Sequence, residues 1–416
     1  MTKYEDNIHY KVVIISFVLK EQKMNKTLKI LAIASVFAIL LVSCSKKSTK
    51  ANNNKDSTVS KLEAQSNSAA KKKNSQNKLF DIPESPVSDF SYELSDDNSG
   101  VKITAYKGGA NCRIPSEIEG MPVTEIAESA FSSKKNLVVL VMPDTIKKVG
   151  KNCFEFCKAL KAVKLSSSLS AIGGSIFHYC ESLEEITIPE SVTTIERKAF
   201  FGSGLKSIYI PDTVKEIQEF AFNACSSLSK VRLPSTLKIL PAGIFDSCHS
   251  LESVELPNGI IEIGDYAFCK CPSLASLTIP NSVTSIGKDA FGGNSFYICG
   301  LKSLDIPNSV TKLECDFHAC ESLEKLHLPD SLEVITNDMF PNSLQSVNIP
   351  ASTKEIKRYA FRNIKNLTEL IIPDSLTKIE FETYEGAMCN FEGTNLNLVS
   401  QKRLKDLGYT GKFSSK

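Results

Sequence analysis

One spacing constrains this chain more than any other feature. An apolar pattern keyed to proline recurs about every 23 residues from Ile114 to Cys389. In the copy around Pro189, apolar residues stand six, three and one before the proline (Leu183, Ile186, Ile188) and three, six and eleven after it (Val192, Ile195, Phe200). The prolines fall at 143, 189, 211, 234, 257, 280, 307, 329, 350 and 373, with Ser166 in the slot between the first two. The aromatic column reads Phe131, Phe154, Phe177, Phe200, Phe222, Phe245, Phe268, Phe291, Phe317, Phe340 and Phe361, and Tyr384 is expected to close it. A repeat of this period marks a solenoid. One coil carries too little apolar surface to fold alone, so it must bury that surface against its neighbours. For such an array the 416-residue length is a poor guide to domain number.

Within a coil, Leu183-x-x-Ile-x-Ile-Pro reads as a short strand with Ile186 and Ile188 inward and Glu185 and Thr187 outward. The proline blocks further pairing and turns the chain. Val192 to Ile195 reads as a second extended stretch on the opposite side, followed by a tight turn or short 3₁₀ piece around the phenylalanine. Equivalent strands should stack into a parallel sheet at ~4.8 Å spacing. The expected fold is a mainly β solenoid of about 11–12 coils with an N-terminal β-hairpin cap and a C-terminal capping helix.

The flanks have a different composition. Met24-Asn-Lys-Thr-Leu-Lys opens a basic segment, and the apolar run Ile30 to Val42 stops at Ser43-Cys44. That order describes an export signal rather than a membrane span. Translation is therefore expected to start at Met24, leaving residues 1–23 as an upstream extension and 24–44 as the signal. Residues 45–79 are rich in Lys, Ser and Asn and read as a disordered tether. Phe90-Ser-Tyr-Glu-Leu and Val101-Lys-Ile-Thr-Ala-Tyr flank a polar turn and read as a hairpin, so 80–130 is assigned to the N-terminal cap and first coil. Val139 and Val141 occupy positions that are mostly polar in later coils, which fits burial under that cap. The array proper covers 131–389. In the closing segment 390–416, Leu398, Leu404 and Leu407 lie near one helical face, with Asn397 or Ser400 as cap and Gly408 as stop.

The search for chemistry returns packing. Six of the 13 cysteines (Cys157, Cys180, Cys225, Cys248, Cys271, Cys320) fall three residues after the phenylalanine, where a small buried residue is needed. Parallel side chains about one strand spacing apart are poorly set for disulfides, so mostly free thiols are expected. Cys269-x-Cys271 and Cys315…His318…Cys320 resemble metal ligands, but the period explains Cys271 and Cys320 as core, and no metal or other cofactor is assigned. There is no phosphate loop, His-Glu-x-x-His or nucleophile elbow, and no catalytic residue is assigned. A net charge of +2 gives no reason to expect nucleic acid as a partner.

The outward strand positions mix charge of both signs with small hydroxyls: Glu185, Thr187, Ser207, Tyr209, Lys230, Arg232, Glu255, Asp305, Lys325, His327 and Asn348 stand out. Such a face suits a broad protein or glycan contact, or is simply a solvated sheet face. A second candidate is the lengthened coil after Phe291, whose Phe296, Tyr297 and Ile298 either project as a recognition loop or tuck back onto the core.

The unit Leu-x-x-Ile-x-Ile-Pro-x-Ser-Val-x-x-Ile-x-x-x-Ala-Phe-x-x-Cys-x-Ser-Leu resembles the BspA-like class of bacterial leucine-rich repeats over residues 114–389. Ile114 to Phe131 is similar to the first-coil signature of that class. The resemblance implies a curved right-handed solenoid, display outside the cytoplasm and, for some members, attachment to host matrix proteins or other microbes. Leu41-Val42-Ser43-Cys44 resembles the lipobox of bacterial lipoproteins, which implies a lipid anchor on Cys44 and a place in the cell envelope, at the outer-membrane surface. The expected function is binding of an extracellular or envelope protein, or of a glycan, in adhesion. The alternative is a periplasm-facing scaffold with no adhesive role. The sequence fixes neither the oligomeric state nor the ligand.

Overall fold

Three rows of hydrogen bonds tie each coil to the next, and each begins from a short stretch of the repeat. The structure, a computed structural model, describes residues 78–413 except 293–298, 362–363, 365, 381–390, 392–393 and 395. Cys44, Tyr384 and the Phe296, Tyr297, Ile298 segment lie outside the described residues. Before the proline, three-residue strands pair in parallel and in register, as in Ser207–Tyr209, Lys230–Arg232 and Ser253–Glu255. After it, two-residue strands such as Ala171–Ile172, Thr194–Ile195 and Glu216–Ile217 build a second parallel sheet. Parallel pairing follows from the connection: each strand meets its counterpart only after a full coil.

The third row is the turn around the phenylalanine. The amides of Asn152, Phe154 and Phe156 donate to the carbonyls of Gly174, Ile176 and His178 in the next coil, at 3.0, 3.0 and 2.8 Å. Residues two before and two after the phenylalanine sit in the left-handed region, as at Asn152 (φ 55°) and Phe156 (φ 57°), and the same pair recurs at Ser175 and Tyr179 and at Phe220 and Ala224. Each such non-glycine residue costs roughly 1–2 kcal/mol, and the inter-coil bonds on either side hold it there. Gly202 takes one of these slots, where an added Cβ would lie 2.6 Å from the Tyr179 ring. Within the coil the same stretch is a pair of tight turns, Glu155 donating to Asn152 and Cys157 to Phe154, both at 3.1 Å, rather than a 3₁₀ helix.

The phenylalanines form the spine of the core. Rings from Tyr106 through Phe131 to Phe317 stand 4.9 to 6.1 Å apart. Phe391, which the spacing did not single out, continues the column 5.1 Å from Phe361. Around the proline, side chains replace missing ladder bonds. Asp144 and Asp212 each accept the amide of the next coil's Ser167 and Ser235, at 2.8 and 2.7 Å. Ser166 serves in a proline slot because its buried hydroxyl donates to the Ile146 carbonyl at 2.6 Å.

The first sheet departs from the expected unbroken stack. It runs as three ladders: Asn111–Arg113 to Ala162–Lys164, Ser207–Tyr209 to Ser253–Glu255, and Ser303–Asp305 to Glu369–Ile371. Residues 185–187 form no strand, Ile186 is only half-buried, and 276–278 keep a single bridge, Ser276 to Ser303. Both gaps precede a coil whose approach turn is shortened from Cys-x-Ser-Leu to Ser203-Gly-Leu or Cys299-Gly-Leu. There the chain drops onto its predecessor: a Cβ on Gly204 would stand 2.0 Å from the Glu181 carbonyl oxygen, and one on Gly300 2.1 Å from that of Pro272. The Ser276–Ser303 bridge crosses the second of these turns, and the turn shortened before Leu344 leaves its ladder intact, so the short turns adjoin the gaps without by themselves setting them.

The ends are closed differently. The hairpin Phe90–Leu94 and Val101–Tyr106 lies parallel to Met121–Ile126, so it extends the second sheet. Val139 and Val141 are buried, but their strand belongs to the first sheet, against whose edge the chain from Ile82 to Ser85 is pinned. Ser85 donates its amide to the Arg113 carbonyl, and Arg113 Nε donates to the Ile82 carbonyl at 2.6 Å. The C-terminal helix Leu398–Asp406 is capped by Asn397, which accepts the Ser400 amide at 2.9 Å. Leu404 is buried, but Leu398 is 81 % exposed. Ser400 takes the inward place, donating its hydroxyl to the Leu370 carbonyl at 2.7 Å.

All eleven described cysteines are buried free thiols. In the repeated slot the thiol donates to the carbonyl of the preceding phenylalanine: Cys157 to Phe131 at 3.0 Å, Cys225 to Phe200 at 3.0 Å and Cys248 to Phe222 at 3.2 Å. Ser203 stands in the series with its buried hydroxyl 3.3 Å from the Cys225 thiol. One acid is also drawn inward in these turns: burial, with Asp289 and Asp338 nearby, pushes the Asp316 carboxyl up to about 7.

Two outcomes follow from this packing. Phe200→Ala should cost about 3–5 kcal/mol in urea unfolding, because it removes a fully buried ring between two neighbours. Tyr209→Ala, on the exposed sheet face, should cost about 0.5 kcal/mol or less. For Asp316 the folded-state pKa is raised, so its proton favours the fold at low pH, and that contribution is lost as pH rises through about 7. Thermal melts of Asp316→Asn should therefore show stabilisation over the parent at pH 8 and none at pH 4.

Candidate binding surface

Alternation along each first-sheet strand sends the middle residue inward and its neighbours to solvent. Val231 is buried between exposed Lys230 and Arg232, and Leu326 between exposed Lys325 and His327. The sheet gaps divide the expected surface residues into two groups. Ser207, Tyr209, Lys230, Arg232 and Glu255 share the middle ladder, with Ser207, Lys230 and Ser253 in one row and Tyr209, Arg232 and Glu255 in the next. Asp305, Lys325, His327 and Asn348 share the third ladder, where Asp305 stands opposite His327. Glu185 and Thr187 fall in the gap before the middle ladder, Glu185 half-buried and Thr187 exposed.

The middle ladder is the more organised. The Arg232 guanidinium lies over the Tyr209 ring, 4.6 Å from its centroid. Its Nη2 donates to Asp212 at 3.0 Å and its Nη1 to the Ile210 carbonyl at 3.1 Å. Asp212 also accepts the Ser235 amide, and the hydrogen bond from Arg232 is the main reason its carboxyl is held below the usual range. Arg232 is thus fixed on one face by stacking and on one edge by acceptors. It borders a cleft of about 680 Å³, lined also by Lys230, Ser235, Ser253, Glu255 and Asn258. Arg232 and its cleft were visible in the sequence only as one outward position among many, because Asp212 lies in the preceding coil.

Several ions are tied coil to coil: Lys158 with Glu181 and Lys206 with Glu184 at 2.7 Å, Lys354 with Glu333 at 3.1 Å, and Lys357 and Lys378 with Glu355 and Glu380. On the first-sheet face, Lys230, Glu255, Asp305 and Lys325 make no ion pair among the described residues.

A larger groove of about 1,060 Å³ runs beside the second sheet, between Asp265, Lys288, Asp289, Glu314, Asp316 and Glu380. Its acids do not converge: among the described residues no three His, Cys, Asp or Glu side chains are placed to hold a metal ion. His318 Nδ1 lies 3.8 Å from Asp316, and the neighbouring Cys315 and Cys320 are buried core residues. Cys299, which the offset from Phe291 missed, fills the thiol slot of the lengthened coil, as its place before Gly300 shows by analogy with Ser203 and Gly204. Among the described residues no helix is long and apolar enough to cross a membrane.

The family profile described as "BspA type Leucine rich repeat region" matches residues 110–228, 193–314 and 292–402. Among solved structures, a leucine-rich repeat protein from Bacteroides ovatus is 25% identical, with a TM-score of 0.58, over 80% of this chain and 99% of that one. A leucine rich cell surface protein from Faecalibacterium prausnitzii is 21% identical (TM-score 0.37; 74% and 99% covered). The pneumococcal vaccine antigen PcpA is 16% identical (TM-score 0.43; 81% and 98% covered). No curated protein shows significant similarity to the chain. The repeat pattern, the stacked parallel strands and the profile match together place this chain in the BspA-type leucine-rich-repeat family.

Proposed function

We propose that this chain is a lipid-anchored cell-surface protein that works by binding, with the outward face of the first sheet as its contact surface and adhesion to other cells as its role. The observation that carries this reading is the exposed charge of both signs on that face. Lys230 and Glu255 flank an immobilised Arg232 in the middle ladder, and Asp305 and Lys325 stand exposed in the third. Unpaired charges of alternating sign steer and orient a macromolecular partner more than they stabilise the fold. The packing of the array supports a binding role: its described cysteines are sealed in the core, and its histidines have no nucleophile at motif spacing. The export signal and the Leu41-Val42-Ser43-Cys44 motif support attachment through Cys44, and the Lys-rich segment 45–79 would give the array reach from the membrane.

Cells expressing the chain from Met24 test both parts. Radiolabelled fatty acid should enter the parent and not Cys44→Ala, and protease added to intact cells should strip the labelled protein. Labelled protein that resists shaving until the envelope is opened would instead make it an inward-facing scaffold. Charge reversal at Lys230, Asp305 and Lys325 together should lower cell-to-cell attachment by about tenfold or more, with an unchanged melting temperature.

A further inference from the structure

We infer that the cleft around Arg232 is a subsite for a carboxylate-bearing sugar, a uronic or sialic acid unit of an extracellular glycan. The inference rests on the first-sheet face being the binding face, and it names the ligand class. The guanidinium is built in advance: Tyr209 covers one of its faces at 4.6 Å, while Asp212 and the Ile210 carbonyl take one N–H each. An arginine has five N–H donors, so the others remain for a ligand. A fixed planar fork matches a carboxylate bidentately, and its immobilisation removes the entropy cost of ordering it on binding.

The rest of the cleft argues for a sugar rather than an acidic peptide. Its volume, about 680 Å³, falls in the range of roughly 300–1,000 Å³ typical of small-ligand sites. Ser235, Ser253 and Asn258 line it, groups that exchange hydrogen bonds with a polyhydroxylated ring. Val231 and Leu233 are buried, and the half-buried Leu256 and Pro257 leave an apolar strip that suits the C–H face of a sugar ring. The Lys230 ammonium, which makes no ion pair among the described residues, supplies a second positive charge on the same side of the strand. Glu255 sets the limit. Directly opposite Arg232 on the neighbouring strand, it accepts a sugar hydroxyl but repels a chain with several charges per sugar. The chemistry therefore selects one carboxylate per ring over dense sulfation.

The test is a printed array of neutral, sialylated, hyaluronan-type and heparin-type oligosaccharides, probed with the full chain carrying Cys44→Ala at physiological salt. Signal should appear on the sialylated or hyaluronan-type sugars and fall by about 10- to 100-fold in Arg232→Ala. Arg232→Lys should fail to restore it. Because Arg232 also holds Asp212, Lys230→Met and Ser253→Ala provide independent variants, and each should weaken binding with an unchanged melt. Glu255→Gln should raise the response to heparin-type chains. An equal response to neutral sugars, a parent preference for heparin-type chains, or binding indifferent to Arg232→Ala would each overturn the inference. A blank array also overturns it. If charge reversal on the face still abolishes attachment in that case, the binding-face reading survives alone; if it does not, both fall.

Discussion

No coil of this protein has an inside of its own. Each contributes about five aliphatic side chains and one aromatic ring, and these are buried because another coil lies above or below them. The aromatic column makes that dependence concrete. A ring such as Phe200 has its two faces against Phe177 and Phe222, at 5.5 and 5.3 Å, and has no other way to leave water. The left-handed turns, the aspartate caps beside the prolines and the thiol bonds to phenylalanine carbonyls all serve the same end. Each satisfies a backbone group of one coil with an atom of the next.

This constraint is why so much was legible in the sequence. A period imposed by stacking must appear residue by residue, so the proline, serine and phenylalanine columns could be read without any structure. What escaped were contacts that the period does not encode. Phe391 reaches the aromatic column from outside the ruler, and Cys299 reaches the thiol slot after an insertion that moves it off its offset. The gaps in the first sheet adjoin turns that are one residue short at Gly204 and Gly300. How closely such a turn approaches the preceding backbone is a matter of three dimensions. Leu398 follows a helical pattern yet faces solvent, because the cap at Asn397 and the Ser400 bond decide which side of a short helix docks.

The binding face shows the same division. Which residues point outward follows from alternation alone, and the exposed positions of Tyr209, Lys230, Arg232 and Glu255 agree with it. Their grouping does not follow. The interruptions before and after the middle ladder isolate a patch three strands wide, and Asp212 from the coil before it locks the one side chain at its centre. A uniform array thus acquires a distinct place without any residue leaving its column. Interruptions of one ladder are enough to divide a long surface into addresses.

The thiol series bears on how such a chain survives an oxidising medium. An unfolded copy exposes many cysteines at regular intervals, any two of which could be joined wrongly. Once a coil docks, its sulfur is enclosed and its proton shared with a carbonyl, and burial pushes thiols such as Cys225 up to about 12. A protonated, enclosed thiol is a poor nucleophile. Each cysteine-bearing coil added to the stack therefore withdraws its thiols, and correct assembly becomes a race between propagation along the array and oxidation of the part not yet assembled. Local, sequential contacts favour the first runner.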